Sequence, residues 1–186
     1  MKKAWKRIGI VLVAAGLLSV LGACGSKPMT QSAGMGSPDA SPTIMNKGEA
    51  APGFALSDLK GGSHRLTDLQ GKKVYVKYWA SWCSICLAGL GDLNTLAGET
   101  KDFEVVTIVT PDYKGEKSAK EFTEWFNRQP YENLTVLLDE NGVWAKQFHV
   151  RAYPSSFYIG SDGILAKALP GHASNEQIID TLKGIK

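Results

Sequence analysis

From residue 51 onward the chain alternates short apolar runs with amphipathic stretches. Val74–Trp79 is apolar and rich in β-formers, the pattern of a buried strand. Phe103–Val109 and Leu134–Leu138 repeat it. Residues 84–98 have helical period, with Cys86, Leu90, Leu93 and Ala97 on one face. A second helix is predicted over 115–128, stopping before Pro130. Phe54–Leu56 and His64–Leu66 flank Gly61-Gly62 and predict an N-terminal hairpin, followed by a helical turn at Thr67–Gly71. The turn Asp139-Glu140-Asn141-Gly142 leads into a short helix over 142–148. Ser155–Ile159 and Ile164–Leu169 predict a second hairpin across Ser161-Asp162-Gly163, and Ser174 opens a last helix. The order is hairpin, βαβαβα, ββα. It predicts an α/β fold: a central, mostly parallel sheet flanked by helices, with antiparallel strands added by the terminal hairpin.

The first 50 residues follow other rules. Lys2, Lys3, Lys6 and Arg7 precede an apolar run, Ile8–Leu21, that falls short of the roughly 20 residues a spanning helix needs. Leu21-Gly22-Ala23 then puts small residues before Cys24, as at a signal-peptide cleavage site. Residues 1–23 are expected to be a removed leader. Residues 24–50 are rich in Ser, Pro, Gly, Ala and Met, have neither period, and are expected to be a flexible tether. Residues 51–186 form the expected folded domain.

This division changes the meaning of the charge. The formal net charge is +3, from 21 bases and 18 acids. Without the four leader bases, 17 face 18. The domain has no global positive field with which to grip nucleic acid. Gly89-Leu90-Gly91 lacks the third glycine of a dinucleotide fingerprint and lies inside a helix.

The candidate chemistry is in Tyr78-Trp79-Ala80-Ser81-Trp82-Cys83-Ser84-Ile85-Cys86, where a buried strand hands over to a helix. Two cysteines three apart in a first helical turn can form a disulfide with little rearrangement. Cys83 would lie among unpaired N–H groups at the positive end of the helix, which lowers a thiol's pKa and makes it nucleophilic. Cys86, on the apolar face, would be the buried resolving thiol. Exchange would pass through a mixed disulfide on Cys83. Other readings of the pair fit less well. Zinc needs about four ligands, and His64, His149 and His172 are scattered. A structural disulfide closing so short a loop stabilises little. A binding lipoprotein with an incidental cysteine pair is the non-enzymatic rival.

The segment Trp79-Ala80-Ser81-Trp82-Cys83-Ser84-Ile85-Cys86 resembles the active site of thioredoxin-like proteins. Tyr153-Pro154 before the strand at 155–159, and the extra helix and strand over 115–138, resemble the TlpA/ResA-like branch, and most of all Gram-positive extracellular thioredoxin lipoproteins. The resemblance covers about residues 50–186. It implies a thioredoxin-like fold, with the 115–138 segment as a βα insertion, and thiol–disulfide oxidoreductase activity. It also implies a cis Pro154 facing the dithiol, with backbone groups there pairing a substrate strand. Trp82, Ser84, Ile85 and Tyr153 would border that surface, and Trp79 would be core. The leader resembles a lipobox, which implies lipid on Cys24 and an anchor at the extracytoplasmic face of the cell membrane. The resemblance implies no cofactor and no metal beyond the redox-active disulfide itself. It implies a CcdA-like membrane thiol transporter as electron donor and an oxidised exported protein as client, with methionine sulfoxide reductase favoured.

Within this class, reduction of apocytochrome c for haem attachment and disulfide insertion are the alternatives; peroxidase chemistry suits the close cysteine spacing less well. The sequence also departs from the branch. No proline stands between the cysteines, Lys77 replaces an acidic or polar residue six before Cys83, and Gly89 replaces a glutamate three after Cys86. Lys77 would favour the thiolate by charge if buried and protonated; pointing to solvent, it would do nothing.

Overall fold

The computed structural model describes residues 46–99 and 102–186. Its elements in chain order are β1 (Glu49–Ala50), β2 (Ala55–Asp58), β3 (Ser63–Arg65), β4 (Lys73–Tyr78), α1 (Ser84–Ala88), α2 (Leu90–Gly98), β5 (Phe103–Val109), α3 (Ala119–Phe126), β6 (Thr135–Leu138), α4 (Val143–Gln147), β7 (Ser155–Ile159), β8 (Ile164–Pro170) and α5 (Asn175–Lys183). Among the described residues these strands form one sheet in the order β1-β8-β7-β4-β5-β6-β2-β3. β4, β5 and β6 run parallel, while β7, β8 and the β2–β3 hairpin are antiparallel to their neighbours.

Alternation along β4 sorts the core into two layers. Tyr75 and Trp79 face α2, α3 and α5, where they pack with Leu90, Leu93, Phe122 and Ile178. Val74, Val76 and Tyr78 face the other way, against Phe54, Ala145, Phe148 and Phe157. Trp79 is a core residue, edge-on to Phe122 with ring centroids 5.7 Å apart. Burying a large apolar side chain fully is worth roughly 1.5–3 kcal/mol, so these layers fix β4 and the turn that leaves it.

The structure departs from the expected elements in three places. The helix expected over 84–98 breaks at Gly89, which ends α1 and begins α2. The helix expected from 115 begins only after Ser118. Lys114 and Gly115 have left-handed φ (49° and 82°), and Ser118 with Glu121 forms a capping box that starts α3. The domain also reaches back beyond residue 51 into the expected tether. Glu49 and Ala50 pair with Leu165 and Ile164 on β8, and Asn46 is clasped by Asp162 and Lys186. The N–H and side-chain amide of Asn46 donate to the Asp162 carboxylate at 2.7 and 2.9 Å. An edge strand on offer and one matched amide–carboxylate pair order a segment whose composition shows no period. The expected leader and nearly all of the tether lie outside the described residues. No helix among the described residues is long and apolar enough to cross a membrane.

Candidate active site

β4 ends at Tyr78, and the chain turns through Trp79–Trp82 into α1. Cys83 is the N-cap of that helix, with extended backbone (φ −89°, ψ 101°). Its sulfur accepts the Cys86 N–H at 3.3 Å, and its carbonyl accepts from the Cys86 and Leu87 N–H groups. Cys83 and Cys86 are joined as a disulfide, with Cα atoms 5.2 Å apart. Once reduced, a Cys83 thiolate would take the place of an N-cap oxygen. That arrangement favours the ionised form.

The two sulfurs differ in access. Cys86 is fully buried in the layer with Leu90 and Trp79, while Cys83 is 6% exposed. Around Cys83 the surface is apolar and open: Trp82 is 53% and Ile85 54% exposed, and Ser84 is exposed as well. Attack on a large substrate can therefore begin only at Cys83.

The facing loop is in place. Tyr153-Pro154 is cis. Ser155 pairs with Tyr78, which sets this loop beside the end of β4, and Tyr153 meets Trp82 edge-on at 5.9 Å between centroids. The Tyr153 hydroxyl shares a 2.5 Å hydrogen bond with Thr110. The Pro154 carbonyl accepts the Gly171 N–H at 2.8 Å. Cys83, Cys86, Trp82, Ser84, Ile85, Tyr153 and Pro154 thus gather at one end of the sheet. Cys24 lies outside the described residues.

Lys77 does not point to solvent. It is 2% exposed, on the face of β4 between Tyr75 and Trp79, flanked in the sheet by buried Thr107 and Ser156. Burial pulls its pKa down to about 8, so near neutral pH it remains a cation in the layer that holds Cys86.

Two features of the site were not foreseen. The first is Glu116, a buried carboxylate in the loop before α3. The N–H and hydroxyl of Ser81 donate to it at 2.5 and 2.6 Å, and the Lys117 N–H at 2.8 Å. The Lys117 ammonium donates in turn to the Ser81 hydroxyl at 2.8 Å. Residues read as the first turn of a helix had given no reason to single out this acid. The second is His172. A Cβ at Gly89 would lie 2.2 Å from its imidazole. The His172 ring, from another segment, lies where a side chain at Gly89 would project. Nothing local in the sequence links residues 89 and 172.

An N-cap cysteine disulfide-bonded within the first turn of a helix, beside a cis-proline loop on a mixed sheet with helices on both faces, defines a thioredoxin-fold thiol–disulfide oxidoreductase. The chain belongs to the AhpC/TSA family, whose model matches residues 47–168. It is 49% identical over 124 residues to a protein of Haemophilus influenzae, covering 66% of this chain and 80% of that one. It is 30% identical over 148 residues to the thiol-disulfide oxidoreductase ResA of Geobacillus thermodenitrificans, covering 77% and 80%. Among solved structures, the pneumococcal exposed lipoprotein thioredoxin Etrx1 of Streptococcus pneumoniae superposes with a TM-score of 0.70 and 43% identity, over 72% of this chain and all of that one.

Proposed function

We propose that this oxidoreductase is a reductase at the outer face of the cell membrane, held there by lipid on Cys24. It takes electrons from a CcdA-like membrane thiol transporter and delivers them to oxidised exported proteins, methionine sulfoxide reductase foremost. The observation that carries the reading is the asymmetry of the dithiol: an accessible Cys83 at the N-cap, a sealed Cys86 behind it, and Trp82 and Ile85 exposed around them. The likeness to an exposed lipoprotein thioredoxin and the leader before Cys24 support the location.

In each cycle the Cys83 thiolate attacks one sulfur of a client disulfide, and the client's other sulfur leaves as a thiolate that takes up a proton. Cys86, giving up its proton, attacks the Cys83 sulfur. The client's second thiol is released, and the enzyme is left as the Cys83–Cys86 disulfide. The membrane donor's dithiol restores it with two electrons and two protons. Trp82, Ser84, Ile85 and Tyr153 border the client's strand, and the backbone around Pro154 pairs with it. Lys77 stabilises the thiolate by its charge.

The equilibrium potential of the Cys83/Cys86 couple in the full-length protein, set against glutathione and dithiothreitol buffers, tests the direction. A value near or below about −230 mV is expected of a reductant. A value near −120 mV, that of a strong oxidant, would overturn the reading in favour of disulfide insertion.

A further inference from the structure

Ser81 sits two residues before the nucleophile and carries opposite charges on its two sides. The Glu116 carboxylate takes its N–H and its hydroxyl hydrogen, and the Lys117 ammonium donates to the same hydroxyl oxygen. Glu116 is 6% exposed, so its charge is poorly screened. Lys117 is held over the Trp125 ring, 5.6 Å from its centroid. The loop carrying the pair also grips the opposite wall of the site. The Lys114 ammonium donates to the Val150 and Arg151 carbonyls at 2.9 and 3.1 Å, just before the cis-proline. A loop that only closed the fold could do so with neutral hydrogen bonds. A buried carboxylate is costly unless hydrogen bonds hold its charge, and here two of the three come from Ser81.

We propose that Glu116 and Lys117 are positioning residues of the redox reaction: a charge pair astride Ser81 that holds the Ser81–Trp82–Cys83 turn and sets the charge balance in which the Cys83 thiolate forms. Glu116 opposes the thiolate and makes the reduced couple a better electron donor; Lys117 offsets part of that opposition. The inference needs only dithiol exchange at Cys83, not the direction of electron flow or the client. A potential that overturned the reductase reading would leave it standing.

The test is the pH at which Cys83 becomes half-alkylated by iodoacetamide in fixed time, read by mass spectrometry of the Cys83 peptide in the reduced full-length protein. Glu116→Gln and Lys117→Met are compared with the parent. The other charged or titratable groups around the site are the same in all three: Lys77 from β4, Glu121 beside Lys117, Lys114, Tyr113, Asp139 and Tyr153 toward the cis-proline loop, and His172 against Gly89. Glu116→Gln should move the midpoint down by about one pH unit, tenfold in thiolate at fixed pH. Its couple should become more oxidising by up to about 30 mV, the equivalent of a tenfold change. Lys117→Met should move both quantities the opposite way. Opposite movements are what a charge pair produces. Movement of both variants in one direction, or of neither, would overturn the proposal, since loosening of the turn alone has no sign to reverse. Lys117 is only partly buried, and a midpoint that stays or falls in Lys117→Met by itself overturns the proposal if Glu116→Gln folds poorly.

Discussion

Lys77 occupies a place its chemistry disfavours. In the unfolded chain its ammonium titrates near 10.5, and in the fold near 8, because burial penalises the charge. Between those values the native state binds fewer protons than the unfolded one, so stability rises with pH across that window. Below about pH 8 the whole cost is present. Lys77→Met should therefore be more stable than the parent at pH 7 by roughly 3 kcal/mol, and the gain should vanish above about pH 10.5. Thermal unfolding at both pH values measures this; an equal gain at both would show that charge burial is not its source. The same variant should alkylate at Cys83 only at higher pH, and an unchanged profile would remove Lys77 from the chemistry. Gly89 makes a second case. Gly89 joins α1 to α2, and an added Cβ there would meet the His172 ring. Gly89→Ala alone should lose stability, and in a His172→Ala background it should lose less. Additive effects of the two changes would separate the residues.

The β2–β3 hairpin shows what an element can hold in one side chain. Asp58 accepts the Lys60 and Gly62 N–H groups and the His64 Nε2, each at 2.8 Å. The His64 contact is the main reason its carboxyl stays below the usual range. A carboxylate so held contributes stability above its unfolded pKa of 3.8, and loses it as pH falls through the lower folded value. Asp58→Asn should lower the melting temperature at pH 7 by the equivalent of about 1 kcal/mol, and the two curves should converge as the pH falls through the lowered folded value. A constant difference down to pH 2 would mean that the hydrogen bonds, not the charge, are at stake. Elements of this kind were readable in advance where pattern and turn residues agreed. The runs at 74–79, 103–109 and 134–138 could only be buried strands, and Gly61-Gly62 and Asp162-Gly163 could only be turns. The start of α3 was misread because helical spacing runs back through 115–117. The backbone there is committed instead to a left-handed turn and to Glu116. The break at Gly89 was hidden because the apolar spacing of Cys86, Leu90 and Leu93 runs through it without interruption.

At the scale of the molecule, the thioredoxin-like architecture and the location of the redox centre were legible because both rest on local sequence. The strand–turn–helix around Cys83 needs only its own residues to be recognised. What the chain's linear order concealed is everything that depends on distant segments meeting. Such features include Lys77 sealed under the helices, Glu116 on Ser81, His172 on Gly89, and the segment 46–50, of which Glu49 and Ala50 join the sheet. A period of 2 or 3.6 reports which face of an element is buried. It does not report which polar group waits on the other side.

The clasp at Asn46 fixes the poles of the domain. β8 runs from Ile164, beside that clasp, to Pro170, where Gly171 meets the cis-proline, a span of about 20 Å for seven residues. The chain thus joins the domain at one end and exchanges electrons at the other. A client can therefore meet the dithiol without touching the segment by which the chain enters the domain.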